Sequence, residues 1–460
     1  MLIKSIDISE LKTQTFILID NKQAAIVDPI LDITLYSDYI KKHDLELKYI
    51  LRTQNHYTFL EGYKLLQNKY NAKLISPKHL SEKEKEALNQ ENFFLPLGEA
   101  SIEVLATKGP TAHNISFVAR DKDNAISGLF IGDFMDNTYG KPMIFEKDVE
   151  KETLAAWYYE SLQYLKEKLP DNTTLYSLRE KEKQTTLKNK FHKQSVFSIS
   201  KKENFIQEIV KDIEDKSDKE VFLFEKNLEG SIIEDSSKNE KTYKALSLND
   251  FIKDKTNCQI LDIRNPEEFA KGFIPASLNI DINEAFSLWA FEILDYRKNL
   301  IIVGEDQNQI NTAIKNLNLI GFQNILGYFE NGFEKWRDGK RPIDMVIEID
   351  AEEMAMDYKF DTNILLLDVR SIEDFDINHI HGSQHIPLKH LANPLYMAAV
   401  DEEAHTYVYA DNASKSMTAC SLLKKEGFFD VRNIIDPYHS IKEHENFVLM
   451  TSKAYEEGDN

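Results

Sequence analysis

The sequence predicts an α/β protein in three parts, and two observations lead there. The first is a tandem repeat. Leu261-Asp262-Ile263-Arg264 recurs as Leu367-Asp368-Val369-Arg370, an offset of 106 residues. The same offset carries Glu268-Phe269 to Asp374-Phe375, Ile274 to Ile380, Ser277 to Ser383 and Gly321-Phe322 to Gly427-Phe428. A register kept that long marks a duplicated domain and not a short solenoid unit. The second is the alternation of short apolar strands with helices. It suggests parallel sheets covered on both faces. Length agrees, since 460 residues suggest about three domains.

The first part, residues 1–233, opens with strands at Thr15–Asp20 and Ala24–Pro29, joined as a hairpin around Asn21-Lys22. Leu35, Tyr39 and Ile40 give helical spacing up to His43. Leu47–Leu51 reads as a strand ending in a polar turn at Thr53–Thr58, and Phe59–Tyr70 as a helix. Further strands are expected at Ala72–Ser76, Ser101–Ala106, Ile115–Ala119 and Leu129–Asp133, with a helix at Asp148–Lys166. Beyond Arg179, Lys181, Lys183, Lys188, Lys190 and Lys193 are interleaved with Glu180, Glu182 and polar residues, which reads as solvated surface.

Residues 234–242 are polar and form the expected linker. The two copies of the repeat follow at 243–345 and 346–457. Ser247 is placed to cap the first helix of one copy. Asp350, with Glu353 three residues on, forms a capping box for the other. Each copy then has a short buried strand, Gln259–Leu261 or Ile364–Leu367, and later Leu300–Val303 or Thr406–Tyr409 followed by a polar loop and a helix.

Composition sets outer limits. Apolar residues make up 42% of the chain, enough for globular cores. A net charge of −21 argues against a nucleic-acid partner, which a basic face would be needed to attract. No apolar run approaches the roughly 20 residues of a membrane span, so no membrane partner is expected. Charged residues begin at Lys4, too early for a secretory signal. Two cysteines, Cys258 and Cys420, make no disulfide framework, and a reducing bacterial cytoplasm is the expected compartment.

The repeat resembles the rhodanese fold. It carries Asp-hydrophobic-Arg, then an acidic-Phe pair. The second copy adds His379-Ile380-His381-Gly382-Ser383 and Ile386-Pro387-Leu388. The resemblance implies a cysteine after the central strand, cradled by backbone amides at a helix N-terminus, where a thiolate is favoured. Counting back from Gly321 and Gly427 places Gly304 and Ala410 at that position. Neither accepts sulfur. Cys420 lies within the following helix and reads as a buried structural thiol; Cys258 also reads as structural. Ser414, Lys415 and Ser416 near the helix start are candidates for holding a small anion, which Asp411 opposes. His379, His381, His385 and His390 are close in sequence, and most are expected on a turn and strand.

The first part resembles the metallo-β-lactamase fold, an αββα sandwich, and within it the persulfide dioxygenase branch that is fused to rhodanese domains. The resemblance rests on Ile26-Val27-Asp28-Pro29, Phe59-Leu60-Glu61-Gly62, Ile115-Ser116-Phe117, Phe130-Ile131-Gly132-Asp133 and Leu169-Pro170-Asp171. That family implies a Thr-His-x-His-x-Asp turn, which here reads Thr53-Gln54-Asn55-His56-Tyr57-Thr58. Gln54 and Thr58 replace ligands, Pro110 stands at a further histidine position, and Arg179 at another. His56 and Asp133 remain as vestigial candidates. Catalytic metal sites usually use three protein ligands, so neither metal nor catalytic residue is expected.

These substitutions predict a pseudoenzyme, a non-catalytic homologue of persulfide dioxygenase–rhodanese fusions that binds or scaffolds in sulfide or persulfide metabolism. Its expected partners are an active paralogue or a sulfur-metabolite ligand, and the family suggests a homodimer. One alternative is an active metallo-hydrolase or persulfide dioxygenase with iron or zinc on a rearranged site of His56 and Asp133, with His113 as a third ligand. Another is a module that binds an anion or thiol metabolite. Arg179 beside Asp133 would put a guanidinium where a metal cation is expected.

Overall fold

A computed structural model of the chain describes residues 1–109, 111–135, 149–179, 185–193, 195–211, 217–230 and 243–452. The expected linker at 234–242 therefore lies outside the described residues, as do Pro110, Lys181 and Lys183. The chain divides into two compact units. One holds Met1–Glu240 and Leu319–Gly321, the other Lys241–Asn318 and Phe322–Asn460.

The first unit has two sheets. One runs in the order β1 (Leu2–Ile8), β2 (Thr13–Asp20), β3 (Gln23–Val27), β4 (Glu46–Leu51) and β5 (Lys73–Ile75). The other contains β6 (Phe94–Leu97), β7 (Ala100–Ala106), β8 (Ile115–Arg120), β9 (Ile126–Gly132), β10 (Thr174–Ser177) and β11 (Thr185–Thr186), in sequence order across the sheet. Phe16, Leu18 and Val27 of the first sheet share one core with Ile102, Val104, Phe117 and Phe130 of the second. The outer faces are buried too. Ile17, Ala24 and Ile26 pack with Tyr36, Ile40 and Leu66 from the helices Thr34–His43 and Tyr63–Tyr70. Leu129 and Ile131 pack with Leu154, Tyr158 and Leu162 from the helix Lys151–Lys168. The result is the αββα sandwich expected. Strands buried on both faces also explain why their sequences are continuously apolar and do not alternate.

Local signals held where they were strong. The hairpin turn places Asn21 at φ 45° and Lys22 at φ 66°, the left-handed pair that a tight two-residue hairpin needs. The helix expected from Phe59 starts only at Tyr63. The carbonyl of Phe59 is taken by Asn227 Nδ2 at 2.7 Å and the amide of Glu61 by Asn227 Oδ1 at 2.8 Å, so this stretch remains a loop. The lysine-rich segment is not solvated throughout. Lys190 is buried, because the helix Leu187–Lys193 turns Leu187 and Phe191 into the outer core.

The second unit contains both copies. The first has the strand order β12 (Lys244–Ala245), β16 (Ile325–Glu330), β15 (Asn299–Gly304), β13 (Cys258–Asp262), β14 (Ser277–Asn279). The second has β17 (Ile347–Ile349), β22 (Val431–Ile434), β21 (His405–Tyr409), β18 (Ile364–Asp368), β20 (Gln384–His385). A small ladder joins β19 (His379–Ile380) to β23 (Leu449–Met450). Every pair in the two larger sheets is parallel, and Ile260 opposite Ile301 recurs as Leu366 opposite Tyr407 at the same offset. Ser247 and Asp350 cap as expected, Asp350 with the full Glu353 box. The Asp-x-Arg signature is structural. Arg264 pairs with Asp262 at 2.8 Å and donates to the carbonyl of Gly272; Arg370 pairs with Asp368 at 2.6 Å and donates to that of Asn378.

The two copies meet through the helix Ala413–Glu426 of the second. Its inner face, with Ala419, Cys420 and Leu423, is buried beside its own strands β21 and β22. Its outer face packs on β14 and on the helix Pro266–Ala270 of the first copy. The edge amide of Asn279 donates to Ser421 Oγ at 3.0 Å, which satisfies a strand edge that is otherwise a pairing hazard.

A candidate metal centre and two candidate sulfur loops

Asp28, Arg52, Asp133 and Leu178 directly follow the C-terminal ends of β3, β4, β9 and β10. Parallel pairing of β3 with β4 and of β9 with β10 brings these ends together in two pairs. The structure gathers five residues at family ligand positions. Gln54 Nε2 donates to Asp133 Oδ2 at 3.0 Å. Arg179 Nε lies 3.5 Å from Asp133 Oδ1, and its Nη2 donates to Thr58 Oγ1 at 2.8 Å. His56 is fully buried, with Nε2 3.3 Å from Asp28 and Nδ1 3.8 Å from Asp133, and its ring stacks on Phe59. Asp28 is itself pinned by the amide and hydroxyl of Thr53, both at 2.8 Å.

Charge is balanced inside this cluster. Burial opposes a charge on His56, but the carboxylates of Asp133 and Asp28 outweigh it and raise its pKa to about 10. Burial also disfavours ionised Asp133. Arg179 and then His56 outweigh that and hold its carboxyl below the ordinary range. These are charge contacts more than hydrogen bonds: neither nitrogen of His56 nor Asp133 Oδ1 has a partner in hydrogen-bond geometry.

The sandwich fold implies a metal here, and the residues present do not fit one. Two of the side chains around Asp133, Gln54 and Arg179, offer an amide and a cation where imidazoles are needed. Among the described residues no three His, Cys, Asp or Glu side chains form a group that could hold a metal ion. His113 does not supply a third ligand to the buried pair; it is exposed on the turn before β8.

Sequence reasoning missed what supports this loop. Arg52 is completely buried and pairs with Glu61, its Nη2 2.7 Å from Oε1. It also donates to Asn55 and Ser76 and lies 4.1 Å from the centre of the Tyr63 ring. Glu61 in turn accepts from the amide of His56 at 3.0 Å. The available signal was an Arg and a Glu inside apolar surroundings. Asn227, more than 160 residues away, gave none.

In the first copy Gly304 is the last residue of β15 and is buried. A Cβ there would come within 2.9 Å of Ile310 Cγ1 and 3.1 Å of Ile263 Cδ1, so apolar side chains fill the place of a thiol. Glu305 and Asp306 follow, both exposed. In the second copy Ala410 is buried and its carbonyl accepts from the amide of Tyr438 at 2.9 Å. The candidate anion donors are already engaged. Ser414 Oγ donates to the Asp281 carboxylate of the first copy at 3.2 Å. The amide of Lys415 donates to Asn412 and its ammonium pairs with Asp411. Ser416 is buried, with its hydroxyl donating to main-chain carbonyls.

Neither cysteine compensates. Burial pushes the thiol of Cys420 far above its usual range, and that of Cys258 upward as well. Native protein treated with iodoacetamide at pH 8 is expected to leave Cys420 unmodified until it is denatured; peptide mass spectrometry checks this. The histidines of the second copy do not converge. His379 and His385 sandwich Phe375 at 3.7 and 4.1 Å, His381 meets Met450, and His390 stacks on Tyr396.

These features define a metallo-β-lactamase-type sandwich followed by two rhodanese-like domains. Residues 245–338 and 350–444 each match the rhodanese-like domain family. A metallo-beta-lactamase from Staphylococcus aureus subsp. aureus COL superposes with a TM-score of 0.61 at 23% identity, over 71% of this chain and 98% of that one. ETHE1 from Myxococcus xanthus is 21% identical over 46% of this chain and 90% of its own, with a TM-score of 0.38. Among curated proteins, a putative sulfur carrier protein, YrkF of Bacillus subtilis (strain 168), is 33% identical over 91 residues. That match takes in 19% of this chain, which spans about half (46%) of the relative's length. No helix among the described residues is long and apolar enough to cross a membrane.

Proposed function

We propose that the chain is a non-catalytic homologue of persulfide dioxygenase–rhodanese fusions, with a binding or scaffolding role in sulfide or persulfide metabolism in the cytoplasm. One observation carries this reading: Arg179 reaches both Asp133 and Thr58, with Gln54 on the other Asp133 oxygen. The surviving carboxylate is thereby held by the protein's own cation and amide. The filled space at Gly304 and the engaged donors around Ser414 support the same reading for the repeat. The sulfur carrier name of the curated relative supports the link to sulfur.

The full chain purified from iron- and zinc-supplemented cultures is expected to hold well under one metal per chain by plasma mass spectrometry. Stoichiometric metal that is lost in Asp133→Ala would overturn the reading. Sulfur transfer from thiosulfate to cyanide is expected at the buffer rate. Transfer that disappears in Cys420→Ser would restore an enzymatic role to the repeat.

A further inference from the structure

In the first copy, one face is sealed by the second. β14 is fully buried there, its edge amide donates to Ser421, and Lys415 Nζ lies 5.7 Å from the centre of the Trp289 ring. The helix Pro266–Ala270 lies against the same covering helix. The 106-residue register identifies the equivalent face of the second copy. There β20 is only half-buried, and Leu395 stands at the Trp289 position and is 82% exposed. Ile372 and Tyr396 add further exposed apolar surface. Large apolar side chains left in water on a face whose twin is an interface mark a docking surface.

The covering helix shows what such a face accepts. The outer stripe of Ala413–Glu426 is Ser414, Met417, Thr418 and Ser421, small or slender side chains at helical spacing. The equivalent helix of the first copy, Gln307–Leu319, has Asn308, Asn311, Thr312 and Lys315 at those positions, all exposed. A second copy of this chain therefore offers the wrong stripe, and its matching one is already buried.

We propose that the exposed face of the second copy, centred on Leu395 beside the half-buried strand β20, docks a rhodanese-like domain of another polypeptide, through the outer stripe of the helix that follows that domain's central loop. The proposal rests on the scaffolding reading, and the metal assay tests that reading separately.

The test installs the matching stripe on the full chain itself. A variant with Asn308→Ser, Asn311→Met and Lys315→Ser presents it from the first copy. Sedimentation velocity is expected to show association at roughly tenfold lower concentration than wild type, as dimers or open chains. Adding Leu395→Asp is expected to return it to wild-type behaviour. Association no stronger than wild type, or association that survives Leu395→Asp, would overturn the proposal. Wild-type self-association that is lost in Leu395→Asp would overturn the choice of partner and assign the face to a second copy of this chain. If the triple variant misfolds by circular dichroism, Asn311→Met with Lys315→Ser carries the same expectations.

Discussion

Replacing Glu61 by Ala is expected to cost the first unit about 3–5 kcal/mol, the usual penalty for stranding a buried charge. Arg52 and Glu61 are both fully buried, and their side chains show no exposed surface. Without Glu61 the guanidinium keeps Ser76, Asn55 and the carbonyl of Asn227 but loses its counter-charge. The amide of His56 loses its acceptor as well. The chain has two units, so a single unfolding midpoint would mix them. Hydrogen exchange of peptides covering β7 to β9 under increasing urea isolates the affected unit. A shift of under about 1 kcal/mol would mean that water enters to solvate Arg52, against its complete burial here. The paired change Arg52→Met with Glu61→Leu is expected to cost much less, because an apolar pair leaves no charge behind.

Gly132→Ala is expected to cost about 3 kcal/mol, and its cause is steric. Gly132 has φ +56°, a conformation that costs an L residue about 1–2 kcal/mol. Its added Cβ would stand 2.1 Å from Thr53 Oγ1. Thr53 cannot yield freely, because that hydroxyl and its amide both hold Asp28. Giving up a hydrogen bond to a carboxylate adds about 1.5–3 kcal/mol. The melting temperature of the first unit should fall by roughly 6–12 °C. Thr53→Ala in the same chain removes the colliding hydroxyl, so the double variant should lose little beyond Thr53→Ala alone plus the backbone term. If Gly132→Ala melts like wild type, the tight approach of β9 to the Thr53 turn is wrong.

Where physics is local, the sequence was readable. The Asp262–Arg264 and Asp368–Arg370 pairs, the Asn21-Lys22 turn and the Asp350 box all depend on neighbours within a few residues, and the turn and the box have the geometry their spacing implies. The helix Glu82–Asn89 was not readable because none of its residues is buried, so no apolar stripe marks it. β1 was missed as well, since most of its residues are exposed or half-buried and its partner β2 supplies the apolar contacts. In the candidate centre, the departures at Gln54, Thr58 and Arg179 were legible as positions. Their contacts were not: Gln54 meets Asp133 across 79 residues and Arg179 meets Thr58 across 121. The same holds for Ser414, whose hydroxyl is claimed by Asp281 from the other copy.

A helix enclosed on two sides also bears on ancestry. While the copies were separate, each could change its outer helical surface without consequence for the other. Once Met417, Thr418 and Ser421 were walled in, while Asn311 and Lys315 stayed in water, the halves ceased to be interchangeable parts. A gene rearranged so that the second copy preceded the first would bury a lysine and expose a methionine. The order of the two copies is thus held by packing, independently of chemistry.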